Sequence, residues 1–224
     1  MQAALAATLL IAVCPLAAGC DTTRVFFAIG GMSREIGALS STESFWADAP
    51  REGIETGKWL ADEAKMGACR DGPAAVVAGE YVYSIGGSDG TDSLFTVERL
   101  KLSATGRSDV ASRSQMTWES QPRMQKRRSL LGGAFSAGRV FAVGGFNGTH
   151  HLPNVEALQV GTDGAAAPDA AWAFVPPMLR ARSGAAVVEL DGKVQNLSCP
   201  RTGRLMPGAA HSAHAPNQHG HWSH

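Results

Sequence analysis

The 224-residue chain lacks most of the features by which catalytic and nucleic-acid-binding proteins are read from sequence. Twenty basic residues balance twenty acidic ones, so the formal charge is zero and the isoelectric point is about 7.1. A neutral chain has no bulk field with which to gather a polyanion, and this excludes nucleic-acid binding driven by net charge. Aromatic residues are only 7% of the chain, and just two of them, Tyr81 and Tyr83, are tyrosines. The four cysteines, Cys14, Cys20, Cys69 and Cys199, show no C-x-x-C spacing, so neither a zinc ribbon nor a thioredoxin-like motif is indicated. No phosphate-binding G-x-x-x-x-G-K-[ST], no dinucleotide-binding G-x-G-x-x-G and no zinc-protease H-E-x-x-H occurs. No catalytic residues, metal ligands or cofactors are therefore assigned. What the chain does have is 44% hydrophobic residues, enough for a core, and 26 glycines with 11 prolines, which favour many turns over long helices.

The two ends differ from the middle. Ala3 to Val13 is an apolar run too short and too poorly flanked for a membrane span. Its length suits the hydrophobic region of a signal peptide, and Ala17-x-Gly19 suits cleavage before Cys20, although no Lys or Arg precedes the run. Residues 1–19 are thus read as a leader, which leans the location towards secretion over the cytoplasm; a membrane role arises only if the run is retained. The competing reading places Leu16–Cys20 as the inner strand of a first sheet. From about Gln195 the sequence loses alternation and carries His211, His214, His219, His221 and His224. Residues 195–224 are read as a disordered, His-rich tail without the fixed geometry a zinc site needs.

Residues 20–194 repeat themselves. Apolar runs end in Gly30-Gly31, Gly86-Gly87 and Gly144-Gly145, spaced 56 and 58 residues apart. Each pair is followed in order by a glutamate (Glu43, Glu98, Glu156), a tryptophan (Trp59, Trp118, Trp172), a methionine (Met66, Met124, Met178) and an arginine (Arg70, Arg128, Arg182). Arg70 precedes Gly86, and Arg128 precedes Gly144, by the same 16 residues. Within a unit, stretches such as Ala74–Val77 lead through a turn to a β-branched strand ending at the diglycine. A second turn, with Asp89-Gly90 or Asn147-Gly148, supplies positive φ for a tight hairpin. Alternating strands such as Val97–Leu102 follow. Each unit of about 55 residues predicts four short antiparallel strands. Cys69, beside Arg70, is expected to be a buried small residue.

These residues resemble the kelch repeat, over roughly residues 16–194. The resemblance implies an all-β partial β-propeller in which each unit is one four-stranded blade, with three to three and a half blades present. The tryptophan then offers a flat surface to bury between blades, the methionine fills gaps beside it, and Arg and Glu hydrogen-bond across blade boundaries. The family has an aromatic two residues after the Glu; here Phe45, Leu100 and Leu158 stand there. The fourth unit starts at Met178 but shows Ser198-Cys199 where a diglycine is due, which suggests truncation and an open end that self-association would cover.

The resemblance also implies a non-catalytic module that binds a protein partner through loops around the propeller axis. Candidate loops are Ser88–Ser93, with Ser88, Asp89 and Asp92, and Phe146–Leu152, with Phe146, Asn147, His150 and His151. Both sets are also readable as plain hairpin tips. The basic run Arg123, Lys126, Arg127, Arg128 reads as a solvated loop, with an anionic partner as the alternative. The rival class is a secreted carbohydrate-active propeller, sialic-acid mutarotase-like or galactose-oxidase-like. The copper chemistry of the latter needs tyrosines that two residues on one strand face do not supply.

Overall fold

A computed structural model describes residues 8–12, 24–47, 57–62, 64–102, 116–197 and 211–214. Among these every regular element is a strand. The first sheet has the order β1 (Thr8–Ala12), β2 (Arg24–Ile29), β5 (Thr42–Ala47), β6 (Gly57–Asp62), with a small hairpin of β3 (Met32–Ser33) and β4 (Gly37–Ala38) between β2 and β5. The second comprises β7 (Ala74–Ala78), β8 (Tyr81–Ile85), β9 (Val97–Lys101) and β10 (Trp118–Gln121). The third comprises β11 (Gly132–Ser136), β12 (Arg139–Val143), β13 (Val155–Gln159) and β14 (Ala173–Val175). A three-stranded fourth has β15 (Ala186–Leu190), β16 (Lys193–Leu197) and β17 (His211–His214). Every pair is antiparallel and, apart from β2 and β5, which the β3–β4 hairpin separates, joins strands consecutive in sequence, so each sheet is an up-and-down blade. The chain is a partial β-propeller of stacked antiparallel blades.

A sheet of this size cannot bury two faces alone, and period-two alternation solves this by sending apolar side chains to both neighbours. In β7, Ala75 and Val77 face a cluster with Phe27, Ile29 and Met66 of the first blade. Ala74, Val76 and Ala78 face a second cluster, shared with Val140, Leu158 and Trp172 of the third. A third cluster joins Phe141 and Val155 to Val187 and Val194 of the fourth blade. The innermost strands approach so closely that a Cβ at Gly133 would meet Val76, and one at Gly132 would meet Val187. The run of small residues in each unit is thus explained by crowding near the axis. On the far side of the fourth blade Val188 and Leu190 are exposed.

The described strands bear on three of the sequence readings. The inner strand of the first blade is Thr8–Ala12, paired Thr8 with Ile29 through Ala12 with Val25, inside the run read as a leader. Leu16–Cys20 lies outside the described residues. In the stretch expected to be a disordered tail, β16 runs on to Leu197 and pairs with β17. Main-chain pairing needs no hydrophobic periodicity, which is why no pattern announced it. Cys69 is exposed, not buried, because the Met66–Arg70 segment turns its odd residues outward.

Candidate functional site

The loops at one end of the stack are held by a repeated joint between blades. Arg70 lies on the connection from β6 to β7. Its main chain bonds backwards: Gly31 N–H donates to its carbonyl at 2.7 Å, and its own N–H donates to Leu39 O at 2.8 Å. Its side chain reaches forwards into the second blade. Nη1 donates to Gly86 O at 2.6 Å and Thr96 O at 3.0 Å, and Nη2 donates to Glu98 Oε1 at 2.8 Å. Glu98 also accepts from Gly67 N–H at 2.7 Å. One blade later Arg128 repeats the arrangement with Gly144, Asn154 and Glu156, and Glu156 accepts from the N–H groups of Gln125 and Lys126. Burial holds both arginine pKa values below their ordinary level, while the facing carboxylates oppose that effect. The Arg–Glu bond therefore lies inside the blade being entered, and it is the arginine main chain that crosses the boundary. The first glycine of each pair is required because the next arginine's carbonyl occupies the place of a Cβ, as Arg182 O does 2.6 Å from that position at Gly144 (φ +61°).

The tryptophans divide. Trp118 sits among the first-blade cluster and its Nε1 donates to Thr42 Oγ1 at 3.1 Å. Trp172, 3% exposed, packs on the second blade and donates to Pro122 O at 2.8 Å. Each indole docks on the blade before its own. Trp59 belongs to the first described blade and is 44% exposed, resting on Phe45 of its own sheet at 5.5 Å. Met124 and Met178 place their Cε atoms beside Gly86 and Gly144, so the methionine fills the space under the preceding diglycine.

The candidate loops emerge at the end where these joints lie. Ser88 and Asp71 exchange main-chain hydrogen bonds at 2.7 and 2.8 Å, as Phe146 and Ser129 do at 2.8 Å. The tips are closed alike. Asp89 Oδ1 accepts from Thr91 and Asp92 N–H at 2.8 Å, and Asn147 Oδ1 accepts from Thr149 at 2.9 Å and His150 at 2.7 Å. Those amide donors hold the Asp89 carboxyl below its usual range. The bridges Ser88 to Ser93 and Phe146 to His151 enclose four residues each, so these are not two-residue hairpins; Asp and Asn serve as acceptors. The tight turns are instead at Gly79-Glu80, Ala137-Gly138 and Asp191-Gly192, between the first two strands of the later blades.

The loops are knitted sideways. Ser93 Oγ lies 3.1 Å from Ser129 Oγ and donates to Phe146 O at 3.0 Å. His151 stacks on Phe146 at 5.3 Å, with its Nδ1 2.9 Å from Ser183 Oγ on the way to the fourth blade. Thus Phe146 and His151 join blades, Ser88 is half-buried in the bridge, and Asp89, Asp92 and His150 are exposed at the tips. Leu130 N–H donates to Gly72 O, and Gly184 N–H donates to Leu130 O, both at 2.8 Å, which ties three successive blade connections together. Gly72 and Gly184 have positive φ; Leu130 shares it at +51° and is 48% exposed. Sequence reasoning missed Ser93, Ser129, Ser183 and Leu130, whose only signal was their common distance after the repeat arginine or diglycine. Gly86–Gly90 also spells G-x-S-x-G, but here it leads from a strand into a hairpin loop with no helix, and Ser88 Oγ accepts from Gly90 N–H at 3.2 Å.

The family model for the Kelch motif matches residues 69–106, which begin at the Arg70 joint and span β7 to β9. Among solved structures the chain is similar to one titled "Structure of YjhT", with 12% identity and a TM-score of 0.52. The likeness covers 70% of this chain and 44% of that one, so the chain spans less than half of its length, and it speaks for the fold. No curated protein matches the sequence.

Proposed function

We propose that this kelch-repeat chain, a partial propeller by its blade order and its matched motif, is a non-catalytic module that binds a protein partner through the loops at 88–93 and 146–152. One observation carries the reading. Two neighbouring blades project equivalent loops whose main chains are closed and bridged in the same way, while their tips carry different side chains. A scaffold that is constant in backbone and variable at its tips is suited to recognition. The tyrosines serve packing instead of chemistry: Tyr83 donates its buried hydroxyl to Gly164 O at 2.6 Å, and Tyr81 lies under the Arg99 guanidinium at 4.4 Å.

The test is crosslinking capture with the full chain, compared with a T91R/H150A variant altered only at exposed tips. Loss of a captured protein from the folded variant supports the reading. Capture that is indifferent to both tips overturns it. Turnover of a sugar or sialic acid by the unmodified chain would favour the carbohydrate-active alternative.

A further inference from the structure

The connection from β10 to β11 carries four cations in six residues, and the fold separates them. Arg128 is buried against Glu156. Arg123 and Arg127 are exposed, and both guanidiniums lie over one ring, that of Phe95, at 5.4 and 4.7 Å from its centroid. Arg127 Nη1 also donates to Ser93 O at 3.2 Å, and Lys126 is exposed between the two arginines in sequence. Among the described residues, ion pairs engage Arg70, Arg99, Lys101 and Arg128, and none engages Arg123, Lys126 or Arg127. Asp89 turns its Oδ1 to two loop amides and acts on Arg127 through space, without forming an ion pair with it.

Two like charges gathered on one small ring repel each other. The ring face and the Ser93 carbonyl offset this only in part, and an anion received there would relieve it. Guanidinium planes present paired N–H donors that match a carboxylate. We propose that Phe95, Arg123, Lys126 and Arg127 form a docking site for an acidic peptide segment of a protein partner. This rests on the binding-module reading and names the chemistry of its partner. A peptide fits better than a nucleic acid because the chain is neutral and three cations cannot track a phosphate backbone.

The test is fluorescence polarisation with the full chain and a labelled peptide of six glutamates. A six-glutamine counterpart and a single-stranded oligonucleotide serve as comparisons. The glutamate peptide is expected to bind at least ten-fold more tightly than either, and to weaken as salt rises. R123Q/R127Q should lose about ten-fold with its thermal melt unchanged; F95L, whose ring also packs on the core between the second and third blades, should lose about five-fold while remaining folded; K101Q, which removes a cation paired elsewhere with Glu80, should lose nothing. Equal binding of the glutamine peptide, preference for the oligonucleotide, or full affinity in R123Q/R127Q would overturn the proposal. If acidic-peptide binding fails while tip-dependent capture persists, this site is refuted and the module reading stands. If both fail, both are refuted.

Discussion

The Glu156 carboxylate accepts from the Arg128 guanidinium at 2.7 Å with both side chains wholly out of solvent. The same bond joins Glu98 to Arg70 one blade earlier at 2.8 Å. A buried pair of this kind adds little net stability over an apolar core, but opening it strands a charge. E156Q leaves Arg128 without its counter-ion and should cost about 3–5 kcal/mol. Urea unfolding midpoints would measure it, and an E156Q chain as stable as the parent would remove the joint from the account.

Glycine is required for two separable reasons. Gly144 has φ +61° and no room, whereas Gly148 has φ +95° and open space. G148A should therefore cost about 1–2 kcal/mol from backbone strain alone. G144A adds a clash with Arg182 O and should cost about 1–3 kcal/mol more. Comparing the two melts isolates the steric part; equal shifts would contradict the crowding.

Truncating the tryptophans should show the direction of blade docking. W172A removes a fully docked indole and its bond to Pro122, for a loss of about 3–5 kcal/mol. W59A removes a part-exposed indole that rests on Phe45 of its own sheet and should cost about 1 kcal/mol, the centre of the range for single substitutions. A W59A loss as large as that of W172A would mean that a further element covers the first blade.

Burial raises the Tyr83 hydroxyl pKa, and its bond to Gly164 O sits between the second and third blades. A group whose folded pKa lies above its unfolded value contributes stability that is complete below the unfolded value, about 10 for tyrosine, and lost as pH rises through the folded one. Stability should therefore fall above about pH 10. Y83F should lose about 1 kcal/mol at neutral pH and show a shallower alkaline decline. An unchanged alkaline slope in Y83F would place the titration elsewhere.

Removing residues 1–19 should loosen the first blade, because β1 pairs with β2 from Val25 to Ile29. Hydrogen exchange of the Phe26 to Ile29 amides should accelerate in the shortened chain while β12 amides keep their protection. Unchanged protection at β2 would show that β1 is dispensable, consistent with a leader.

Much of the architecture was legible in order and spacing. The diglycines mark where the next arginine's carbonyl approaches, and the alternating runs mark strands packed on both faces. Phe45 and Leu100 face Trp59 and Trp118 across the sheet, which accounts for the apolar residue two places after each glutamate. The candidate loops could be located but not understood. Asp89 and Asn147 look like hairpin formers, and only coordinates reveal them as acceptors that close a wider loop. Cys69 was misjudged because proximity to a buried arginine along the chain says nothing about which way the next side chain points.

The repeat pattern dictates strands, blade order and the identity of the buried joints, because each depends on periodicity and on short-range steric demands that a residue carries wherever it stands. The fate of individual copies was decided by the stacking. Trp59 is exposed and Trp172 is buried although their local sequence roles agree, since burial requires a sheet in front of the indole. Arg128 became a structural ion pair and Arg127 a surface cation on Phe95 although they are adjacent, since neighbouring residues in an extended connection face opposite ways and meet different blades.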